Sequence, residues 1–573
     1  MYDEYFLDYK CESRVNLYKY MDILEKEIGK KIEFDNPYIS GDFEKKVENF
    51  LNDKHISGVM TNPEIVLKEM AQYFSGTTRW HHPYVMNNIK TPVNLVSLAV
   101  AYNAMMYDPN IAGDTNCGQI AFAELEVVKY ISELVGWDWK KSGGYFTFGG
   151  TSTLLNAVKI GLNKAIDNSC YKGIKEDVFI ISSEQGHSAH ADVCNWLGIG
   201  KESCIRTPVD SNYQMDIKKT EEIISKNIEE GKKWIGVIAC GGTTIQTIVD
   251  PLREIYEMRE RLVKKYKLSY KPHIHVDSVV GWAWLFYKNY SFEDNKLNLS
   301  NMSLLKIRQM YNLISMVSYA DSIGIDFHKT GFCPYASSLI LSRDAAEIYK
   351  LNDKTPIFIE NIQYGKYSPS SYTLELSRSS LGPLTALTAL KVFGYEGYQK
   401  LLGDIVEGTC SLVDLLSKEE DFEVINRDTN GTCVLFIIKP KYIKISYMDL
   451  PEASEAEVKT LAYYNYRFYL YVLNRIKKNK INFFIDYSSG YEKVKRGFYM
   501  GVLKMQTFNP MLSEEKVKEL VKKIQFLKGE FDKCTYSFER ETVYCPKGFK
   551  LKYKNHVYEI QGDKVCLKES KKK

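Results

Sequence analysis

The chain has 573 residues and 66.1 kDa, and its 76 Lys and Arg against 72 Asp and Glu leave a formal charge of +4 that is spread along its length. Without a clustered basic excess, phosphate-driven nucleic-acid binding is not expected, and 45% hydrophobic with 26% charged residues excludes a disordered or fibrous chain. The twelve cysteines form no CxxC pair, which argues against a zinc ribbon or a dense disulfide scaffold.

The start, MYDEYFLDYK, is acidic where a secretory leader needs a basic, then apolar, run. The apolar stretch 92–106 is interrupted by Asn94, Ser97 and Asn103 and is too short to span a bilayer. A soluble, reduced, cytoplasmic protein without a membrane partner is expected. Helical spacing marks 14–27, 43–52 and 63–74, then 122–135 and 153–165. Short apolar runs at 145–148, 178–182, 234–239, 274–277 and 322–326 alternate with helical segments, the pattern of a mostly parallel sheet covered on both faces. Beyond about residue 385 come helices at 383–393, 396–416, 456–477 and 513–527 with strands at 422–426, 432–438 and 497–507, a smaller α+β pattern. The tail from Lys533 is polar, with a turn at 546–548 and a frayed end.

Five of the expected strands or their following turns end in polar residues. After 145–148 comes Gly149-Gly150-Thr151-Ser152-Thr153, opening a helix: glycines admit an anion to the backbone, hydroxyls donate, and the helix N-terminus adds partial positive charge. It lacks the Gly-Lys-Ser/Thr of a Walker loop, and a capped Gly-rich turn would look the same. EQGHSAH (184–190) follows the second run, and its His187 could stack on a ring, transfer a proton or cap a helix. Thr243 and Thr244 follow the third. His273, His275 and Asp277 alternate onto one strand face, which suits a metal, a carboxylate under a heterocyclic nitrogen, or plain backbone hydrogen bonding. Asp326, His328 and Lys329 end the last run, where open α/β sheets bind ligands and a desolvated lysine can act as a Schiff-base nucleophile. For Lys329 alone, a solvated strand-end lysine is the simpler reading.

As a set, GGTST (149–153), EQGHSAH (184–190), LGIG (197–200), GGTTIQTIVDPL (241–252), HVDS (275–278), DSIGIDFHKTGF (321–332), LELSRSS (374–380) and SGTTRWHHPY (75–84) resemble the group II pyridoxal-phosphate-dependent amino-acid decarboxylases of fold type I, the glutamate, aromatic-amino-acid and tyrosine decarboxylase family. The likeness runs over roughly 70–400. It implies pyridoxal 5'-phosphate bonded to Lys329, with His328 beside it and Asp277 paired with the pyridinium nitrogen. His187 would stack on the ring, Gly150, Thr151 and Ser152 would hold the phosphate, and Thr243, Thr244 and Asp326 would lie near the cofactor. Arg378 would bind the substrate carboxylate, His81 and His82 would border the substrate, and Tyr367, or else Tyr364, would be the loop tyrosine that protonates the product. The implied reaction is loss of carbon dioxide from an aromatic or acidic L-amino acid, in a homodimer sharing its active sites. The family's small residues after the aspartate are here Val279, Val280, Gly281 and Trp282, and Thr330 replaces a bulky residue after the lysine.

The expected organisation is a fold type I α/β protein: an N-terminal helical segment (1–110), a large cofactor domain (111–385) with a mostly parallel sheet, and a small α+β C-terminal domain with a polar tail (386–573). The alternatives are another pyridoxal reaction on the same fold (transamination, aldehyde-forming decarboxylation, carbon-sulfur lysis), a metal-dependent hydrolase built on His273, His275 and Asp277, or a silent homologue. No resident metal is expected on the leading reading.

Overall fold

The computed structural model describes residues 4–33, 35–41, 51, 54–352, 365, 367–495, 498–538, 550–553, 556–561 and 564–570. Most of the expected helix at 43–52 and the turn at 546–548 lie outside the described residues.

Seven strands form the central sheet: β1 (Gly143–Thr147), β2 (Val178–Ser183), β3 (Cys204–Thr207), β4 (Lys233–Cys240), β5 (His273–Asp277), β6 (Ser322–Asp326) and β7 (Ser338–Ser342), in the order β1-β7-β6-β5-β4-β2-β3. Pairings from β6 through β5, β4 and β2 to β3 are parallel, while β7 runs antiparallel to both β1 and β6. Nearly every strand residue is buried, because helices cover both faces. That is why these strands read as continuous apolar runs. β3 and β7 are additions to the expected set.

The helices, in chain order, begin with α1 (Arg14–Gly29), α2 (Pro63–Tyr73), α3 (Leu95–Tyr107), α4 (Ile120–Val135), α5 (Gly150–Ala165) and α6 (Ala189–Trp196). They continue with α7 (Ile217–Glu229), α8 (Leu252–Tyr266), α9 (Asn301–Ile314) and α10 (Leu381–Ser417), the last broken at Gly394, where φ is 53°. The segment Gly281–Asn289 is a 3-10 turn of aromatic residues driven into the core: the Trp282 ring lies 4.8 Å from that of Phe327, and Phe286 stacks on Tyr398 at 4.1 Å. Trp282 therefore serves the packing behind the sheet, and Val279 alone of 279–282 reaches the strand-end cavity.

A second, antiparallel sheet holds β8 (Phe422–Val424), β9 (Cys433–Ile438), β10 (Asp486–Lys495) and β11 (Phe498–Gln506) in the order β10-β11-β9-β8, with α11 (Glu455–Lys477) and α12 (Glu514–Phe538) packed against it. The N-terminal segment joins this body. The amides of Phe484 and Gln506 donate to the carbonyls of Tyr84 and Met86, and the Tyr38 hydroxyl donates to the Ile476 carbonyl. In the tail, β12 (Lys550–Tyr553), β13 (His556–Gln561) and β14 (Lys564–Ser570) form an antiparallel sheet, so 568–570 of the expected frayed end are strand and 571–573 lie outside the described residues.

One buried ion pair ties the large sheet to its surroundings. Glu124 of α4 is fully buried and accepts from the Phe146 amide on β1 (2.8 Å), from Arg378 Nη1 and Nη2 (2.7 and 2.9 Å) and from the Tyr367 hydroxyl (2.6 Å). Arg378 Nη1 and Nη2 also donate to the Phe146 and Ile111 carbonyls. Removing one member strands the other's charge in the core, which typically costs about 3–5 kcal/mol. Glu124→Gln is therefore expected to lower unfolding free energy by about that amount in urea titration, and unchanged stability would contradict the anchoring role.

Candidate active site

The C-terminal ends of β1, β2, β4, β5 and β6 converge on a cavity of about 270 Å³. Its lining includes Gly150, Thr151, His187, Thr243, Thr244, Asp277, Asp326, His328 and Lys329, so nine of the sequence-expected residues meet in one place. Parallel strands deliver their carboxyl ends to one edge, and the turns after them carry the polar residues. A larger cavity of about 940 Å³ lies in the C-terminal body; there Lys528 is already paired with Asp421 and Asp532.

Lys329 stands on the single helical turn Phe327–Thr330 that follows β6. Its Nζ lies 2.9 Å from Asp326 Oδ2, and the Ser338 hydroxyl on β7 donates to Asp326 Oδ1 at 2.5 Å. Burial works to lower the lysine's pKa, but the charge and hydrogen bond of Asp326, with Asp277 farther off, hold it above its ordinary value. The backbone around it is pinned: Thr91 donates to the Lys329 carbonyl, and the buried Lys90 ammonium donates to the carbonyls of His328 (2.8 Å) and Cys333 (2.9 Å). Burial pushes the Lys90 amine down to about 8. The His328 ring packs at 4.3 Å on Tyr335, and its Nε2 is 3.4 Å from Asp326.

Asp277 ends β5. Its Oδ2 accepts from His190 Nε2 at 3.0 Å, and its buried Oδ1 has no hydrogen-bond partner. Burial alone would raise this carboxyl; the His190 hydrogen bond, with the charge of Lys329 farther off, outweighs it and brings the pKa down to about 2. Burial also pushes the His190 ring down, so we assign a neutral imidazole donating to an ionised carboxylate.

Ser152 Oγ at the start of α5 is a second buried polar atom without a partner. The residue before the helix, Gly149, provides no side-chain cap, which leaves the first turn open to an anion. A Cβ on Gly150 would come within 3.0 Å of Asp326 Oδ2 and Val279, so only glycine leaves this cradle clear. An orphaned carboxylate oxygen, an open helix N-terminus with a free hydroxyl, and a partly buried lysine together fit a phosphorylated pyridine aldehyde. They would meet its ring nitrogen, its phosphate and its aldehyde respectively.

The structure does not bring the remaining expected residues to this cavity. Arg378 and Tyr367 are bonded to Glu124 behind β1. His82 Nδ1 accepts from the Tyr84 amide and the His81 carbonyl from Asn509, both in the contact with the C-terminal body. Tyr364 lies outside the described residues. His273 Nε2 and His275 Nδ1 both lie 2.7 Å from Ser322 Oγ, and among the described residues no three His, Cys, Asp or Glu side chains group as a metal set. His190 and Tyr335 are not among the site residues expected from the sequence. Nothing local signals the His190 contact, which joins positions 87 residues apart.

The chain matches the pyridoxal-dependent decarboxylase conserved domain over residues 53–439. It is 24% identical over 296 residues to aspartate 1-decarboxylase of Aliivibrio fischeri, a match covering 49% of this chain and 48% of that one. It is 27% identical over 302 residues to L-tyrosine decarboxylase of Levilactobacillus brevis, covering 49% and 46%. Each match thus spans about half the relative's length. The fold is that of mouse CSAD in apo form, with a TM-score of 0.72, 18% identity, and coverage of 90% of this chain and 99% of that one. With two thirds of its length matched and the strand-end residues gathered in one cavity, the chain belongs to the pyridoxal-dependent decarboxylase family.

Proposed function

We propose that the protein removes carbon dioxide from an L-amino acid to give the amine, using pyridoxal phosphate held by Lys329. The observation that carries this reading is the cavity lined together by Lys329, Asp277 with its unpaired Oδ1, and Gly150 and Thr151 at the uncapped start of α5, with the unpartnered Ser152 Oγ buried next to them in the chain. When bound, the cofactor supplies a conjugated, positively charged ring that takes up the electron pair left by the departing carboxylate. The protein's own side chains do the rest. Asp277 Oδ1 accepts the ring N–H and keeps the positive charge there. Asp326 Oδ2, 2.9 Å from Lys329 Nζ, is placed to take the proton this amine must lose before it can act as a nucleophile. The Ser152 hydroxyl and the amides of Gly150 and Thr151 would hold the phosphate, and His187 would cover a ring face. The relatives named for aspartate and tyrosine put acidic and aromatic amino acids first among substrates.

Cofactor-loaded protein is expected to release carbon dioxide from a member of an amino-acid panel headed by tyrosine, aspartate and glutamate, with the amine identified by mass. Lys329→Ala should lose both the visible absorbance band and turnover, and Asp277→Asn should cut kcat about a hundredfold, or ~3 kcal/mol. No carbon dioxide from any amino acid would overturn the reading; a keto acid in its place would identify an aminotransferase.

The same reading includes a homodimer. The inner face of α3 carries Ser97, Ala101 and Ala104 against the body, while Leu95 (81% exposed), Met105 (60%) and Tyr107 (62%) face outward with Val96, Leu98 and the nearby Phe122. A contiguous apolar surface of this kind marks an interface, and a second copy is its proposed occupant. The double variant Leu95→Asp, Met105→Asp is expected to sediment as a monomer while the wild type sediments as a dimer; a monomeric wild type would refute the proposal.

A further inference from the structure

The hydrogen bonding behind Asp277 has a direction. Arg206 on β3 can only donate: Nη1 gives to the carbonyls of Ser183 and Gly186 and, at 2.9 Å, to Ser182 Oγ, and Nη2 gives to the carbonyl of His187. With Oγ accepting from Arg206, the Ser182 hydroxyl proton points to His190 Nδ1, 2.6 Å away, in preference to the Ser183 carbonyl at 3.3 Å. Nδ1 is then the acceptor nitrogen of His190, and the proton sits on Nε2, facing Asp277 Oδ2 at 3.0 Å. Every member of this chain is held by the fold: Ser182 and His190 are fully buried, and Arg206 stitches the turn that carries His187.

The other groups around Asp277 do not duplicate that donor. His275, two residues back on β5, has its Nδ1 on Ser322 Oγ and is kept neutral by burial, its pKa near 3. Cys240 on β4 is paired in register with Asp277, and burial with the charges of Asp250 and Asp277 pushes its thiol up, so it stays uncharged. Lys329, from the turn after β6, brings a positive charge toward Asp277, but its Nζ is bonded to Asp326.

We propose that His190 is a positioning residue for the reaction: through its Nε2–H, with its tautomer set by Arg206 and Ser182, it keeps Asp277 an anion and thereby leaves the shared proton on the cofactor's ring nitrogen. This rests on the reading that Asp277 Oδ1 meets that nitrogen. One proton lies between two bases. In a buried site the neutral arrangement, proton on the carboxyl and ring uncharged, competes with the ion pair, because burial penalises charge. A donor committed to the other carboxylate oxygen lowers the proton affinity of the carboxylate alone and so favours the charged ring, the form that draws electrons. Each pKa unit of that difference shifts the proton's distribution tenfold.

The test is nitrogen-15 NMR of protein loaded with pyridoxal phosphate labelled at the ring nitrogen, whose resonance separates protonated from neutral ring. The wild type should read protonated and Asp277→Asn neutral. His190→Leu, which keeps the volume and removes the donor, should move the resonance toward neutral and speed cofactor loss about tenfold on dilution, whereas His190→Gln, which retains an N–H donor, should stay near the wild type. If Asp277→Asn shifts the resonance and His190→Leu does not, the inference fails and the Asp277 reading stands. If Asp277→Asn also reads protonated, the Asp277 reading fails and takes the inference with it. Should His190→Leu not fold, Ser182→Ala serves instead: it frees the histidine tautomer and should give a partial shift, and a resonance at the wild-type position would overturn the proposal.

Discussion

The site depends on keeping a carboxylate charged inside a protein core. Asp277 ends a strand whose other residues are buried, beside a neutral histidine and a protonated thiol. An ionised carboxylate in such a place is stable only with hydrogen bonds and opposite charge near it. The flanking elements supply them from separate directions: α6 offers His190, and the turn after β6 brings Lys329. The parallel sheet is what makes the convergence feasible, because adjacent strands end at one level and each can contribute a side chain.

Two acids in this molecule differ in how much of their bonding capacity is filled. Glu124 has both oxygens occupied, by a guanidinium, a phenol and a main-chain amide from three different segments. Nothing further can bind there, and the group's effect is to hold α4, β1 and the start of α10 together. Asp277, on the cavity wall, has one oxygen satisfied and the other buried without a partner. Asp326 is intermediate: Ser338 fixes one oxygen, while the other is shared with Lys329, a partner that can change its charge. Unfilled bonding capacity next to empty space marks chemistry better than charge or burial does.

Much of this was legible in the sequence. Short apolar strands ending in polar residues can be read locally, since a doubly covered strand is a continuous apolar run and the next turn must be polar. The set GGTST, Thr243, Asp277 and DFHK therefore points to one edge of a sheet. The contacts of Arg378 and Tyr367 were not legible, because a buried acid over 240 positions earlier, Glu124, takes both side chains. A motif places a residue near a site, and a distant partner decides which way it faces. The His190 contact was hidden for the same reason. β7 is not legible because SLILS is a five-residue run separated from β6 by only a single helical turn, and a pattern based on alternation of strands and full helices has no slot for an antiparallel insertion.

The turn 241–247 belongs to two bodies at once. Gln506 of β11 donates to the Thr244 carbonyl, Gln246 donates to the Tyr491 hydroxyl of β10, and a side chain on Gly431 would collide with Gln246 and Thr247. Thr243 and Thr244, which line the cavity, are thus gripped from behind by the C-terminal sheet. Free energy gained at the cavity is communicated to that sheet through rigid contacts, as linkage requires of any ligand that prefers the native state. Occupancy of the site by its cofactor and integrity of a sheet that never touches it are in this way a single equilibrium. By the same linkage, a lesion far out in the C-terminal body would loosen cofactor retention without changing any residue that lines the cavity.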